Sequence, residues 1–177
     1  MDDLATAQLC ERLTQIYNEY RTVVLNKKYY GHKLKTAKRW NLGVESVIAV
    51  GTSSTIGAWT FFGTPGGKPI WSVIGIAVAL ITVFKPIVPL SSNLERYSKL
   101  AAGYGGLCFD LKSIADEIRI ARDLPPDILA SFRHVQARLK ELDVADDITP
   151  SRSLLSKYYI ETNQQVPPES LWMPTRT

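Results

Sequence analysis

The chain has 177 residues, a formal net charge of +4, two cysteines and 45% hydrophobic residues. This composition is ordinary for a folded protein of one domain, and no internal repeat or low-complexity segment interrupts it. Two cysteines also leave no basis for the disulfide framework that is typical of a small secreted domain.

Residues 1–40 are predicted to form the N-terminal cytoplasmic helix or helices, with a basic end. Apolar residues alternate there at spacings of four and three, the pattern of a helical seam: Leu9, Leu13, Ile16, Tyr20 and Val23. The segment ends in a basic stretch formed by Lys27, Lys28, Lys33, Lys35, Lys38 and Arg39. Such a stretch beside an apolar segment is typical of the cytoplasmic side of a membrane boundary.

The middle of the chain is apolar, because residues 42–84 carry only two ionisable side chains, Glu45 and Lys68. A membrane-spanning helix needs about 20 mostly apolar residues, a length that two stretches meet or approach. The pattern predicts an all-α membrane protein with a two-helix transmembrane hairpin and a cytoplasmic helical bundle. The alternative is a buried helical hairpin in a soluble protein with a basic surface helix. The predicted hairpin covers residues 41–90, with spans at about 42–62 and 70–90 and a turn at 64–68.

Charge and aromatic placement orient the predicted hairpin. The turn carries only Lys68, whereas basic residues precede the first span and follow the second. The positive-inside rule then places both termini in the cytoplasm and the turn outside, with the lipid bilayer as a partner. Aromatic residues lie near both predicted interfaces: Trp40, Trp59, Phe61, Phe62 and Trp71.

The first predicted span has a small and polar face. At about 100° per residue, its members share one side of a helix: Glu45, Ser46, Thr52, Ser53, Gly57 and Thr60. This face either packs against another helix or lines a water-filled path when several copies assemble.

Glu45 is also a candidate for an ion pair within the predicted hairpin. Counting outward from Pro65, Glu45 and Lys85 lie at the same depth on the two spans. A charge inside a span is costly unless it is paired or hydrated, which favours a pair between these residues. The alternative is that Glu45 is a solvated acid in the first turn of the span.

Residues 91–145 are predicted to form a cytoplasmic helical hairpin. A second seam alternates at four and three over three heptads: Leu100, Tyr104, Leu107, Leu111, Ile114 and Ile118. The sequence DLPPD at 123–127 ends that helix and begins the next, because proline suits the first helical turn. Both seams either pack within one bundle or join copies in a homo-oligomer. Gly103, Gly105 and Gly106 predict a kink or a close-packing site.

Residues 146–177 are predicted to form a polar, Pro-containing tail with a short helix over 153–161. Chemical signatures are few: His32 and His134 lie in separate charged helices, and no phosphate-binding glycine loop follows a strand. We therefore expect no catalytic residues, no metal, no cofactor and no enzyme activity. Nucleic acid is not expected as a partner, because anionic lipid already accounts for the basic stretch.

The layout of the chain resembles the SLATT-domain family over about residues 5–165. The resemblance is carried by a long helix that ends in YYGHKLKTAKRW, a two-span hairpin, and the segment NLERYSKLAAGYGGLCFDLKSI. It implies a two-transmembrane effector of the bacterial inner membrane. It also implies a neighbouring nucleotidyltransferase or nucleotide-sensing partner, in a nucleotide-signalling system that responds to phage infection.

The sequence and the resemblance together favour an effector that oligomerises and permeabilises the inner membrane when a partner activates it. The alternative is a passive membrane-anchored adaptor whose cytoplasmic helical bundle recruits a signalling partner.

Overall fold

The computed structural model describes residues 2–53, 67–84, 90–147 and 149–174. These residues form five α-helices and one short 3-10 turn, and they include no β-strand. The elements are α1 (Asp2–Ser53), α2 (Gly67–Phe84), α3 (Leu90–Ala121), α4 (Pro126–Asp143), α5 (Arg152–Gln165) and the 3-10 turn Pro168–Ser170.

The chain divides into two compact units. Unit 1 comprises Met1–His32 and Arg96–Thr177, and unit 2 comprises Lys33–Glu95. Unit 1 therefore joins the N-terminal part of α1 to most of α3 and to α4, α5 and the 3-10 turn. Unit 2 holds the C-terminal part of α1 and all of α2.

The predicted transmembrane hairpin was wrong. Among the described residues, no helix has both the length and the apolar character that a membrane crossing requires. One reason is that the 18 described residues of α2 begin with Gly67–Pro69, so the apolar part within them falls short of the roughly 20 residues of a span. The first predicted span extends to residue 62, and its residues 54–62 lie outside the described residues.

The core of unit 1 lies between the seam residues of α1 and α3. Leu9 is partly buried and packs against the other predicted seam residues. Those others are all buried: Leu13, Ile16, Tyr20, Val23, Leu100, Tyr104, Leu107, Leu111, Ile114 and Ile118. The next helix, α4, adds Ile128, Phe132 and Val135 to the same cluster. The four-and-three alternation is thus used for packing inside unit 1.

The junction between α3 and α4 follows from backbone chemistry. Arg122 has φ 50° in the left-handed region, and its N–H donates to the carbonyl of Ile118 at 2.9 Å. A residue in this conformation commonly ends a helix. Pro125 then caps α4 and Pro126 opens it, because proline has no N–H to leave unbonded in the first turn.

The glycine-containing stretch of α3 brings α4 close. A Cβ atom on Gly103 would lie 2.7 Å from the Leu142 side chain, so a side chain at this position would require Leu142 to shift. Beside that contact, Arg138 of α4 forms a salt bridge of 2.7 Å with Asp110 of α3. Of the two predicted uses of these glycines, close packing is therefore the one found at Gly103.

The segment after α5 packs back on the bundle. Val166 is buried, and Leu171 and Trp172 lie partly buried against the core. The Tyr17 hydroxyl of α1 donates to the Trp172 carbonyl at 2.9 Å. The segment after α5 therefore packs against the N-terminal half of α1.

The core makes a stability prediction at Leu111, which is fully buried. Leu111→Ala should lower the free energy of unfolding by about 2–5 kcal/mol, because it removes buried methyl groups and leaves a cavity. The exposed Val144 is the matched control, and Val144→Ala should change stability by less than about 0.5 kcal/mol. Denaturant unfolding of both variants checks this, and equal effects at the two positions would contradict the packing described.

Candidate functional site

Helix α2 carries a continuous apolar face. Val73, Ile76, Leu80 and Val83 are between 53% and 67% exposed. Their spacings of three, four and three place them within one sector of the helix, at about 100° per residue. Ile81 and Val78, on another side of α2, are only partly exposed. Unit 2 therefore presents one row of large apolar side chains, which we call the α2 apolar face.

The part of α1 in unit 2 is basic and has exposed aromatic and apolar residues. Its basic side chains are clustered within seven residues, and we call them the basic run: Lys33, Lys35, Lys38 and Arg39. Trp40 and Leu42 follow directly and are both about two-thirds exposed. By sequence, unit 2 has six Lys and Arg against two Asp and Glu, whereas unit 1 has fifteen of each. The whole net charge of +4 thus lies in unit 2.

The structure places only part of the predicted pore-lining or packing face. Glu45 and Ser46 are exposed on α1, and the Ser46 hydroxyl donates to the Leu42 carbonyl at 2.7 Å. Thr52 and Ser53 are the last described residues of α1. Gly57 and Thr60 fall outside the described residues. Whether this face packs or lines a path is therefore left as a prediction.

The predicted ion pair of Glu45 with Lys85 is likewise untested, because Lys85 lies outside the described residues. Glu45 has a local partner, since the Asn41 side-chain amide donates to its carboxylate at 2.9 Å. These residues are four apart on α1 and face the same side of the helix, a spacing at which such hydrogen bonds form.

The second candidate site is a polar network in unit 1. It lies where the segment between α4 and α5 contacts α1 and α3. The Tyr29 hydroxyl donates to the Asp147 carboxylate at 3.0 Å and accepts the Ser151 N–H at 3.1 Å. The Asp147 N–H donates to the Tyr30 hydroxyl at 3.0 Å. Arg96 of α3 binds the same carboxylate at 2.7 Å. We call this network the tyrosine–aspartate clasp.

Tyr104 extends the clasp. Its ring stacks on Tyr30 with centroids 5.6 Å apart, and its hydroxyl donates to Asp146 at 2.8 Å. Burial raises the pKa of both tyrosines, so they stay protonated and act as donors. Burial also raises the pKa of Asp146, as does repulsion from Asp143 and Asp147, although the Tyr104 hydrogen bond lowers it. The surroundings of Asp146 in the clasp therefore disfavour its ionised form.

Other reactive side chains have structural partners in unit 1. His32 Nδ1 lies 2.9 Å from the Tyr158 hydroxyl, which links α1 to α5. Cys108 lies 3.9 Å from the Lys27 ammonium, which links α3 to α1. Within the parts of the chain that the structure describes, no group of three or more His, Cys, Asp or Glu is placed to hold a metal ion.

Sequence reasoning missed both the α2 apolar face and the clasp. The α2 apolar face lies within the second predicted span, although the spacing of Val73, Ile76 and Leu80 already places them on one side of a helix. The clasp had only a weak signal, the adjacent tyrosines Tyr29 and Tyr30. Their partners lie 117 or more residues later, beyond any local pattern.

The clasp predicts a cost for removing one hydroxyl. Tyr29→Phe should lower the free energy of unfolding by about 1–3 kcal/mol, because the Asp147 carboxylate and the Ser151 N–H each lose a partner in a buried site. Tyr159→Phe is the control, because Tyr159 is mostly exposed and should tolerate the change within about 0.5 kcal/mol. Denaturant unfolding measures both, and a Tyr29→Phe chain as stable as the control would disprove this role.

The clasp also predicts a pH dependence through Asp146. Folding raises the pKa of Asp146 above its ordinary value of 3.8, so protonation of Asp146 stabilises the folded state. This contribution to the free energy of unfolding is complete below pH 3.8 and is lost as the pH rises through the folded-state pKa. Asp146→Asn keeps an acceptor for Tyr104 and removes the charge. The stability of the variant relative to the unmodified chain should therefore increase from pH 3.5 to pH 7. Unfolding at both pH values tests this, and a constant or falling difference would contradict it.

Comparisons with protein-family models, with curated proteins and with solved structures each found no match. The resemblance to the SLATT-domain family therefore stays a prediction.

Proposed function

We propose that the chain is a helical adaptor that docks on the anionic surface of a lipid bilayer through unit 2 and offers unit 1 to a protein partner. The observation that carries the proposal is the α2 apolar face, which is exposed in the same unit that holds all of the net positive charge.

The two features of unit 2 together favour a lipid surface. A row of exposed apolar side chains marks an interaction site, since apolar area gains about 25 cal/mol per Å² when it leaves water. Basic residues near an anionic membrane contribute about 1 kcal/mol each. A nucleic acid accounts for the charge but not for the apolar face, and an ordinary protein partner requires no basic run. A bilayer surface with anionic headgroups uses both features.

Unit 1 supports the second half of the proposal. Unit 1 has a buried apolar core between its helices and equal numbers of acidic and basic residues. Its polar contacts connect α1, α3 and the segment after α4. Such a unit presents stable helix surfaces for recognition. That the partner is a nucleotidyltransferase or a nucleotide sensor stays a prediction from the resemblance. Permeabilisation of the membrane was tied to the two-span hairpin and is not part of this proposal.

Vesicle flotation tests the lipid docking. The full chain should float with vesicles of phosphatidylcholine and phosphatidylglycerol, and binding should weaken as salt rises. Ile76→Ser with Leu80→Ser should reduce affinity at least about tenfold, because each lost side chain is worth more than about 1 kcal/mol of transfer energy. Lys35→Gln, Lys38→Gln and Arg39→Gln together should reduce it about 100-fold.

Val144→Ser with Ile160→Ser is the matched control, because both residues are exposed and apolar but belong to unit 1. This control should float like the unmodified chain. Equal binding by the control and by the Ile76→Ser, Leu80→Ser chain would sink the proposal. So would equal binding to vesicles of phosphatidylcholine alone.

A further inference from the structure

Three glycines within one turn of α3 have different surroundings. A Cβ atom on Gly103 would meet Leu142 at 2.7 Å, and one on Gly106 would meet Arg138 at 3.4 Å. A Cβ atom on Gly105 would meet nothing within 4 Å. Glycine inside a helix costs about 1 kcal/mol relative to alanine. Packing against Leu142 therefore accounts for Gly103, whereas a Cβ atom would make only one ordinary contact at Gly106 and none at Gly105.

A large apolar side chain lies beside this open position. Phe109 follows Gly105 by one helical turn and is 74% exposed. Ile120 lies a further three turns along the same side and is 80% exposed. Small side chains and the charged Asp116, which pairs with Arg119 at 3.0 Å, share this side of α3 with these two, and we call the set the Phe109 face: Ser98, Ala102, Gly105, Phe109, Ser113, Asp116 and Ile120. It thus has a projecting ring next to a shallow hole.

The Phe109 face is complementary to itself. Gly105 and Phe109 are equally far from position 107, so an antiparallel copy of α3, related by a twofold axis at that position, places each Phe109 over Gly105 of the other copy. A parallel arrangement about a twofold axis instead sets Phe109 against Phe109 and leaves both holes empty.

Charge agrees with the antiparallel arrangement. Lys99 and Glu117 are exposed and lie on the same edge of the Phe109 face, eight and ten residues from position 107 in opposite directions. At about 1.5 Å rise per residue, the twofold axis brings Lys99 of one copy to within about 3 Å, along the helix axis, of the level of Glu117 in the other. Both symmetric pairs have opposite charge.

We propose that the Phe109 face binds a second copy of this chain, with α3 helices antiparallel and Phe109 of each copy seated on Gly105 of the other. The contact lies wholly in unit 1 and does not depend on lipid docking by unit 2.

Sedimentation equilibrium of the full chain without vesicles tests the proposal. All chains carry Ile76→Ser and Leu80→Ser, so that the α2 apolar face does not contribute to association. The parent chain should form a dimer. Gly105→Leu should weaken dimerisation at least about tenfold by filling the hole, although leucine favours the helix more than glycine does. Phe109→Ala should weaken it by a similar factor.

The controls separate a specific contact from loss of folding. Ile160→Ala, at an exposed apolar position outside the face, should leave the dimer unchanged. Lys99→Glu and Glu117→Lys should each weaken the dimer, and the chain with both changes should recover it. A monomeric parent overturns the proposal, as does an unchanged dimer in Gly105→Leu and Phe109→Ala. Failure here leaves vesicle flotation unaffected, so the two proposals fail separately.

Discussion

Burial of one face of α1 against α3 is the constraint on which unit 1 depends. Leu13, Ile16 and Val23 of α1 share a cluster with Leu107 and Leu111 of α3, and all are withdrawn from water. The other elements then attach to α1. Gln136 of α4 donates to Glu19, Arg21 donates to Asn163 of α5, and Tyr17 donates to the carbonyl of Trp172. These three contacts depend on the α1–α3 pairing, because each of them requires α1 to be held in its packed position.

The tyrosine–aspartate clasp finishes this packing with polar groups. Rings of Tyr30 and Tyr104 continue the apolar seam, while their hydroxyls bond to the segment after α4. The rings of these tyrosines therefore pack in the core, and their hydroxyls form hydrogen bonds with the connecting segment, as buried tyrosines commonly do. The cost is the concentration of Asp143, Asp146 and Asp147, which Arg96 offsets only at Asp147.

Periodicity predicted the parts of the fold that depend on local pattern. The seams of α1 and α3 were visible because a buried helix face repeats every three or four residues, and the start of α4 was visible because proline fixes the first turn. Hydropathy failed in the middle of the chain, because an apolar average does not state where a helix begins or ends. Gly67–Pro69 shorten the apolar part of α2. The clasp could not be predicted from local sequence patterns, because its hydrogen-bond partners are distant in sequence.

The two units have different proposed functions, with lipid docking in unit 2 and recognition in unit 1. Hydrogen–deuterium exchange of the full chain, with and without vesicles of phosphatidylcholine and phosphatidylglycerol, tests this division most directly. We predict slower exchange on vesicles in residues 33–49 and 67–84 and unchanged exchange in α4 and α5. Protection of α4 and α5, with no change in residues 67–84, would contradict the account.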